Sequence, residues 1–119
     1  MPRYLYFNNR DEFFRIRLED IVYFESDKNY SLLCMSTGQR IAFTLSMQRM
    51  QEYLVKSLGD QARAFIRVGK SYIINSTYVF NIDLSKRVLK LLIPGCATPV
   101  QLKISYEALR KLRSLYIPE

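Results

Sequence analysis

Glu19, Asp20 and Glu25 lie close together in the sequence, and a carboxylate pair is the usual equipment of a hydrolase. Glu19 and Asp20 fall in a turn signal and Glu25 at the end of an apolar run, so all three read as solvated carboxylates. The chain has no His, which removes every Ser-His-Asp, Cys-His and His-metal arrangement at once. Cys34 and Cys96 form no C-x-x-C pair. They read as reduced thiols, with the burial usual for free Cys. Gly69-Lys70-Ser71 resembles the tail of a phosphate-cradling loop, but the earlier Gly and the long following helix are missing. The residues therefore point away from an enzyme, a metal site, a cofactor or a small-molecule substrate.

The cations say more. Lys and Arg number 18 against 11 Asp and Glu, a net charge of +7 on 119 residues. Arg15, Arg17, Arg40, Arg49, Arg63, Arg67, Lys70, Arg87, Lys103, Arg110 and Arg113 are spread along the chain, many near turns. Collectively they attract a polyanion at long range, although each alone is ordinary solubilising surface. Charge does not separate DNA, RNA and a membrane surface. No apolar window approaches a membrane span, neither expected helix has an interfacial anchor's face, and no RNP-like or GXXG signature occurs. The opening residues hold no signal-peptide core, so a cytoplasmic protein without a membrane partner is expected.

The elements that must position these residues are mostly short strands. Alternation and β-branched or aromatic content predict strands over Tyr4–Asn8, Glu12–Arg17, Ile21–Glu25, Tyr30–Met35, Gln39–Thr44, Ala64–Val68, Tyr78–Ile82, Val88–Ile93 and Pro99–Lys103. Polar turns separate them, including Asn8-Asn9-Arg10-Asp11, Asp27-Lys28-Asn29 and Asp83-Leu84-Ser85-Lys86. Ser71–Asn75 is ambiguous between strand and helical turn. Met47, Met50, Leu54 and Leu58 form one face of a helix that Thr44 or Ser46 caps and Gly59 ends. Ser105 caps a C-terminal helix whose buried stripe is Leu109, Leu112 and Tyr116, with Arg110, Lys111 and Arg113 facing out. Pro99 argues that the last strand lies at a sheet edge or that Pro99 is its first residue. With no linker or repeat, residues 1–119 read as a single, mainly β domain.

Leu18-Glu19-Asp20-Ile21-Val22-Tyr23-Phe24-Glu25-Ser26, followed by Asn29-Tyr30, resembles the opening motif of the LytTR family of DNA-binding domains. Thr44-Leu45-Ser46 resembles that family's segment before its first helix. Phe65-Ile66-Arg67-Val68-Gly69-Lys70-Ser71-Tyr72-Ile73-Ile74-Asn75 resembles its central motif, and Pro99-Val100 through Tyr106 its last. The resemblance runs from about residue 12 to 115 with order and spacing intact.

The resemblance implies an elongated, mostly antiparallel β-sheet, sandwich-like fold with a packed helix and a C-terminal helix. It further implies a bacterial, response-regulator-like transcription factor that reads double-stranded DNA through loops in the major groove. Contacts are implied at Lys28, Asn29 and Tyr30 after the opening strand, and at Arg67, Gly69, Lys70 and Ser71 in the central motif. Gln101 and Lys103 are implied at the last strand. Taken by themselves, Ser71 reads equally as a turn cap or a phosphate ligand, Tyr30 as packing on the sheet, and Asn75 as a backbone-satisfying turn residue. Gly69 stands where the family usually has His, and Gln101-Leu102-Lys103 where it usually has Ser-Arg. These departures touch base reading more than DNA binding, and their alternative is an interaction module that keeps the fold without base readout. A domain this small covers a short site, so a homodimer or tandem copies on repeated half-sites are expected. Too few residues precede Glu12 to hold an input domain, which leaves a stand-alone regulator or a piece of a longer protein.

Overall fold

Most strands pair with neighbours in sequence, as alternating segments joined by tight turns should, and β3 with β7 is the exception. In the computed structural model, which describes residues 4–117, β1 (Tyr4–Asn8) and β2 (Phe13–Arg17) make a hairpin. Asn9 shapes its tip, its Oδ1 accepting the Asp11 and Glu12 amides at 3.0 and 2.7 Å. A five-stranded sheet runs β5 (Arg40–Phe43), β4 (Tyr30–Met35), β3 (Ile21–Asp27), β7 (Tyr72–Asn75), β6 (Phe65–Val68). A three-stranded sheet runs β10 (Val100–Lys103), β9 (Val88–Leu91), β8 (Val79–Asp83). Every pairing among the described residues is antiparallel.

The central sheet divides two cores. On one side Ile21, Phe24, Leu33 and Ile73 pack with the hairpin's Leu5, Phe7 and Ile16 and with α1 (Met47–Leu58). The helix presents the expected Met47, Met50, Leu54 and Leu58, all buried. Those four side chains contribute roughly 6–12 kcal/mol of gross burial energy, most of it offset by chain entropy. On the other side Val22, Val68 and Ile74 pack with Leu89, Leu91, Leu102 and α2 (Tyr106–Tyr116) through Leu109 and Leu112. The principal extents are 44 × 30 × 30 Å, so the layered molecule is elongated, as the resemblance implied.

Local signals set the helix ends. Ser46, not Thr44, caps α1 by accepting the Arg49 amide at 3.2 Å, and Gly59 at φ +58° ends it. Ser105 caps α2 by accepting the Ala108 amide at 3.3 Å. The ambiguous Ser71–Asn75 segment resolves as strand over Tyr72–Asn75, because β3 and β6 pair with it on both sides. Asn75 satisfies the backbone as read: its amide donates to the Ile21 carbonyl at 2.9 Å and its Oδ1 accepts the Thr77 amide at 3.1 Å. Pro99 immediately precedes β10, an edge strand.

Three readings are corrected. Tyr116 is 48% exposed instead of buried, because the last turn of α2 runs past the core. Its hydroxyl still reaches back to donate to the Ser76 carbonyl at 3.1 Å. Cys96 is exposed while Cys34 is buried, since Cys96 follows the Pro94-Gly95 turn outside any sheet. Tyr30 is 46% exposed, because it stands at a hairpin turn where the sheet ends.

Candidate nucleic-acid interface

Strand register brings two of the three expected contact regions together. β3 turns through Lys28-Asn29, with Asp27 paired to Tyr30 across the turn. β7 starts beside the end of β3, where Glu25 faces Tyr72 and the Ser26 amide donates to the Ser71 carbonyl at 2.9 Å. The Lys28-Asn29 turn and the Gly69-Lys70-Ser71 turn therefore share one end of the central sheet. All five residues are exposed. Gly69 takes φ +63°, which a glycine adopts without steric cost. Lys28 takes φ +57°, which an L side chain adopts only under strain.

Arg67 lies beneath the second turn and is half-buried. Its Nη2 donates to the Lys70 carbonyl at 2.8 Å and its Nη1 to Gln51 Oε1 of α1 at 3.1 Å. The planar fork thus ties the turn to α1, a geometry that the single ammonium of Lys cannot reproduce. Of the residues the sequence marks as contacts, Arg67 is the one whose charged end is occupied by the protein itself.

The turn also meets α2. A Cβ on Gly69 would lie 3.7 Å from the Ala108 Cβ. Between them opens a groove of about 650 Å³ lined by Ile66, Arg67, Lys70, Ser105, Lys111 and Leu112 among others. Ser105 borders a second cleft, of about 350 Å³, lined by Lys86, Arg87, Lys103 and Ile104. Gln101 and Lys103 are exposed on β10 and alternate with buried Leu102, so both point away from the core. The third expected region is thus linked to the second around the start of α2. Lys86, Arg87 and Lys111 join this surface without having been singled out as contacts. The turn Asp83–Lys86 was legible, but its place beside β10 follows from the pairing of Val88 with Lys103, 15 positions on, as well as with Asp83 across the turn.

Two carboxylates near this surface, Glu25 and Asp83, are engaged. Glu25 pairs with Arg40 at 2.9 Å, and Asp83 accepts the Lys86 amide at 3.0 Å and the Ser85 hydroxyl at 2.9 Å. Those two bonds, with the Lys86 charge, hold the Asp83 carboxyl below the usual carboxylate range. Burial, reinforced by the Cys34 thiol, pushes the Tyr23 phenol well above its ordinary value, so it is neutral at physiological pH. Among the described residues no cluster of His, Cys, Asp and Glu could hold a metal ion, and no helix is long and apolar enough to cross a membrane.

The LytTr DNA-binding domain family model matches residues 11–116. A solved LytTr DNA-binding domain from Bacillus cereus is similar to the chain, with a TM-score of 0.68 at 17% identity. That likeness covers 98% of this chain and 99% of the other, and at such identity it speaks for the fold. No curated protein matches the chain significantly.

Proposed function

The chain belongs to the LytTr DNA-binding domain family, and from that membership we propose that it binds double-stranded DNA sequence-specifically, as a transcriptional regulator acting in the cytoplasm. Turns, not a helix, enter the major groove. Lys28, Asn29 and Tyr30 form one contact, Gly69, Lys70 and Ser71 a second, and Gln101 with Lys103 a third. Lys70 binds phosphate, and the Gly69 amide supports it. Lys103 reaches a base edge as a point charge, where Arg would offer a bidentate fork to guanine. Arg67 contributes by holding the Lys70 turn in place.

The observation that carries this reading is the 2.9 Å bond from the Ser26 amide to the Ser71 carbonyl. It fixes two exposed, cationic turns side by side, so that they approach a duplex as one rigid unit. The net charge of +7 supplies the long-range attraction. The 44 Å length exceeds one turn of B-DNA, about 34 Å, which leaves room for contacts in successive major grooves. Two copies on repeated half-sites supply the affinity a single small domain lacks. The action is binding alone, without catalysis, cofactor or small-molecule substrate.

Selection of bound sequences from a random duplex pool at physiological salt tests the proposal. An enriched direct repeat supports it. A flat pool with weak binding removes sequence-specific regulation and leaves a protein-interaction module that keeps the fold.

A further inference from the structure

Among the described residues, two that are not glycine hold a left-handed backbone, Lys28 at φ +57° and Arg87 at φ +57°. Both are cations at the turn of an antiparallel pair, Lys28 between β3 and β4 and Arg87 between β8 and β9. Asn or Gly would sit there with less strain. Strain kept at an exposed turn for the sake of a long charged side chain is a mark of function. Lys28 belongs to a turn already assigned a DNA contact, whereas Arg87 lines the same surface with no contact yet assigned to it.

The surroundings of Arg87 extend the parallel. The Ile104 amide donates to the Arg87 carbonyl at 3.0 Å, which locks the turn against the end of β10. Lys86, Arg87 and Lys103 line one open cleft together with Ile104 and Ser105, and no carboxylate lines it. Asp83, at the base of the turn, spends its Oδ1 on the Lys86 amide and the Ser85 hydroxyl. It shapes the turn and offsets part of the Lys86 charge, while among the described residues no carboxylate lines the cleft beside Arg87 and Lys103.

We propose that Lys86 and Arg87 form a phosphate clamp beside Lys103, gripping the DNA backbone next to the base contact of β10. The inference rests on the DNA-binding reading and adds a contact region to it. The clamp recognises phosphate oxygens and carries no sequence information, so it fixes the register from which Lys103 reads.

The test compares the wild-type chain with a Lys86→Gln, Arg87→Asn double variant. Asn tolerates the left-handed conformation, so the turn keeps its shape, and an unchanged melting curve checks the fold. Both proteins are titrated over a salt series with a selected duplex and a scrambled one. Loss of two phosphate contacts should flatten the slope of log affinity against log salt by about 1.8, with equal weakening on both duplexes. A Lys86→Arg, Arg87→Lys variant, which keeps both charges, should retain the wild-type slope. A steep wild-type slope left unchanged in the double variant overturns the clamp alone. Weakening confined to the selected duplex also overturns it, because the residues would then be reading bases. A wild-type slope near zero overturns the DNA-binding reading itself.

Discussion

The backbone amide of Ser26 and the carbonyl of Ser71, 45 positions apart in sequence, meet at 2.9 Å. That contact couples the end of the opening motif to the turn of the central motif, so the two act as one rigid edge. Residues at the Lys28-Asn29 turn and the Gly69-Lys70 turn are placed by the sheet's own ladder instead of by flexible loops.

Arg67 should act on DNA through the Lys70 turn and not through a phosphate of its own. Arg67→Lys removes the fork between the Lys70 carbonyl and Gln51 while keeping the charge. Stability should fall by about 1–2 kcal/mol. Affinity for a duplex should fall while the salt slope stays as in the wild type. A slope lower by about one unit in Arg67→Gln would instead identify a direct phosphate contact.

Lys28 should show a trade between stability and binding. Lys28→Asn relieves the left-handed strain at φ +57° and should raise stability by about 1 kcal/mol. The same change removes a cation from the DNA face and should flatten the salt slope by about 0.9. Denaturant midpoints and a salt titration read the two effects separately.

Asn75 is 4% exposed and bridges the Ile21 carbonyl and the Thr77 amide. Asn75→Ala should cost about 2–4 kcal/mol, since it leaves buried polar groups unpaired. Asn75→Asp should be worse at neutral pH and should recover in acid, because a buried carboxylate facing the Ile21 carbonyl is tolerated only when protonated. Urea unfolding at two pH values distinguishes these outcomes.

The tyrosines set an alkaline limit. Burial is the first cause raising the Tyr23, Tyr72, Tyr78 and Tyr116 phenols above their ordinary value of 10.0. In the unfolded chain they ionise near that value, so their contribution is complete below about pH 10 and is lost as pH rises toward the folded values. An absorbance titration of the nine tyrosines should show a lagging group whose ionisation coincides with unfolding. Uniform titration near pH 10 in a folded protein would contradict this.

Local patterns carried most of the fold. The Met47, Met50, Leu54, Leu58 spacing, the Ser105 cap and Gly59 are short-range signals that appear in the structure as read, and of the two caps open for the first helix the structure takes Ser46. Tyr116 continues the Leu109, Leu112 spacing, but periodicity does not tell where the core beneath a helix ends. Cys34 and Cys96 have the same chemistry, and only the sheet around Cys34 separates them. The resemblance supplied the candidate contact regions, yet bringing the first two to one sheet end depends on β3 pairing with β7, a long-range choice that local patterns do not show. The sequence marks Arg87 only as one cation among many, because its left-handed φ and its bond to Ile104 exist only once the chain has folded.

Amide chemical-shift mapping during titration with a selected duplex tests the central claim most directly. The account expects perturbations at Lys28–Tyr30, Gly69–Ser71 and Gln101–Lys103, with the outer face of α1 at Gln48, Glu52 and Val55 unmoved. Perturbations concentrated on that α1 face, with the Lys28 and Lys70 turns unmoved, would contradict it.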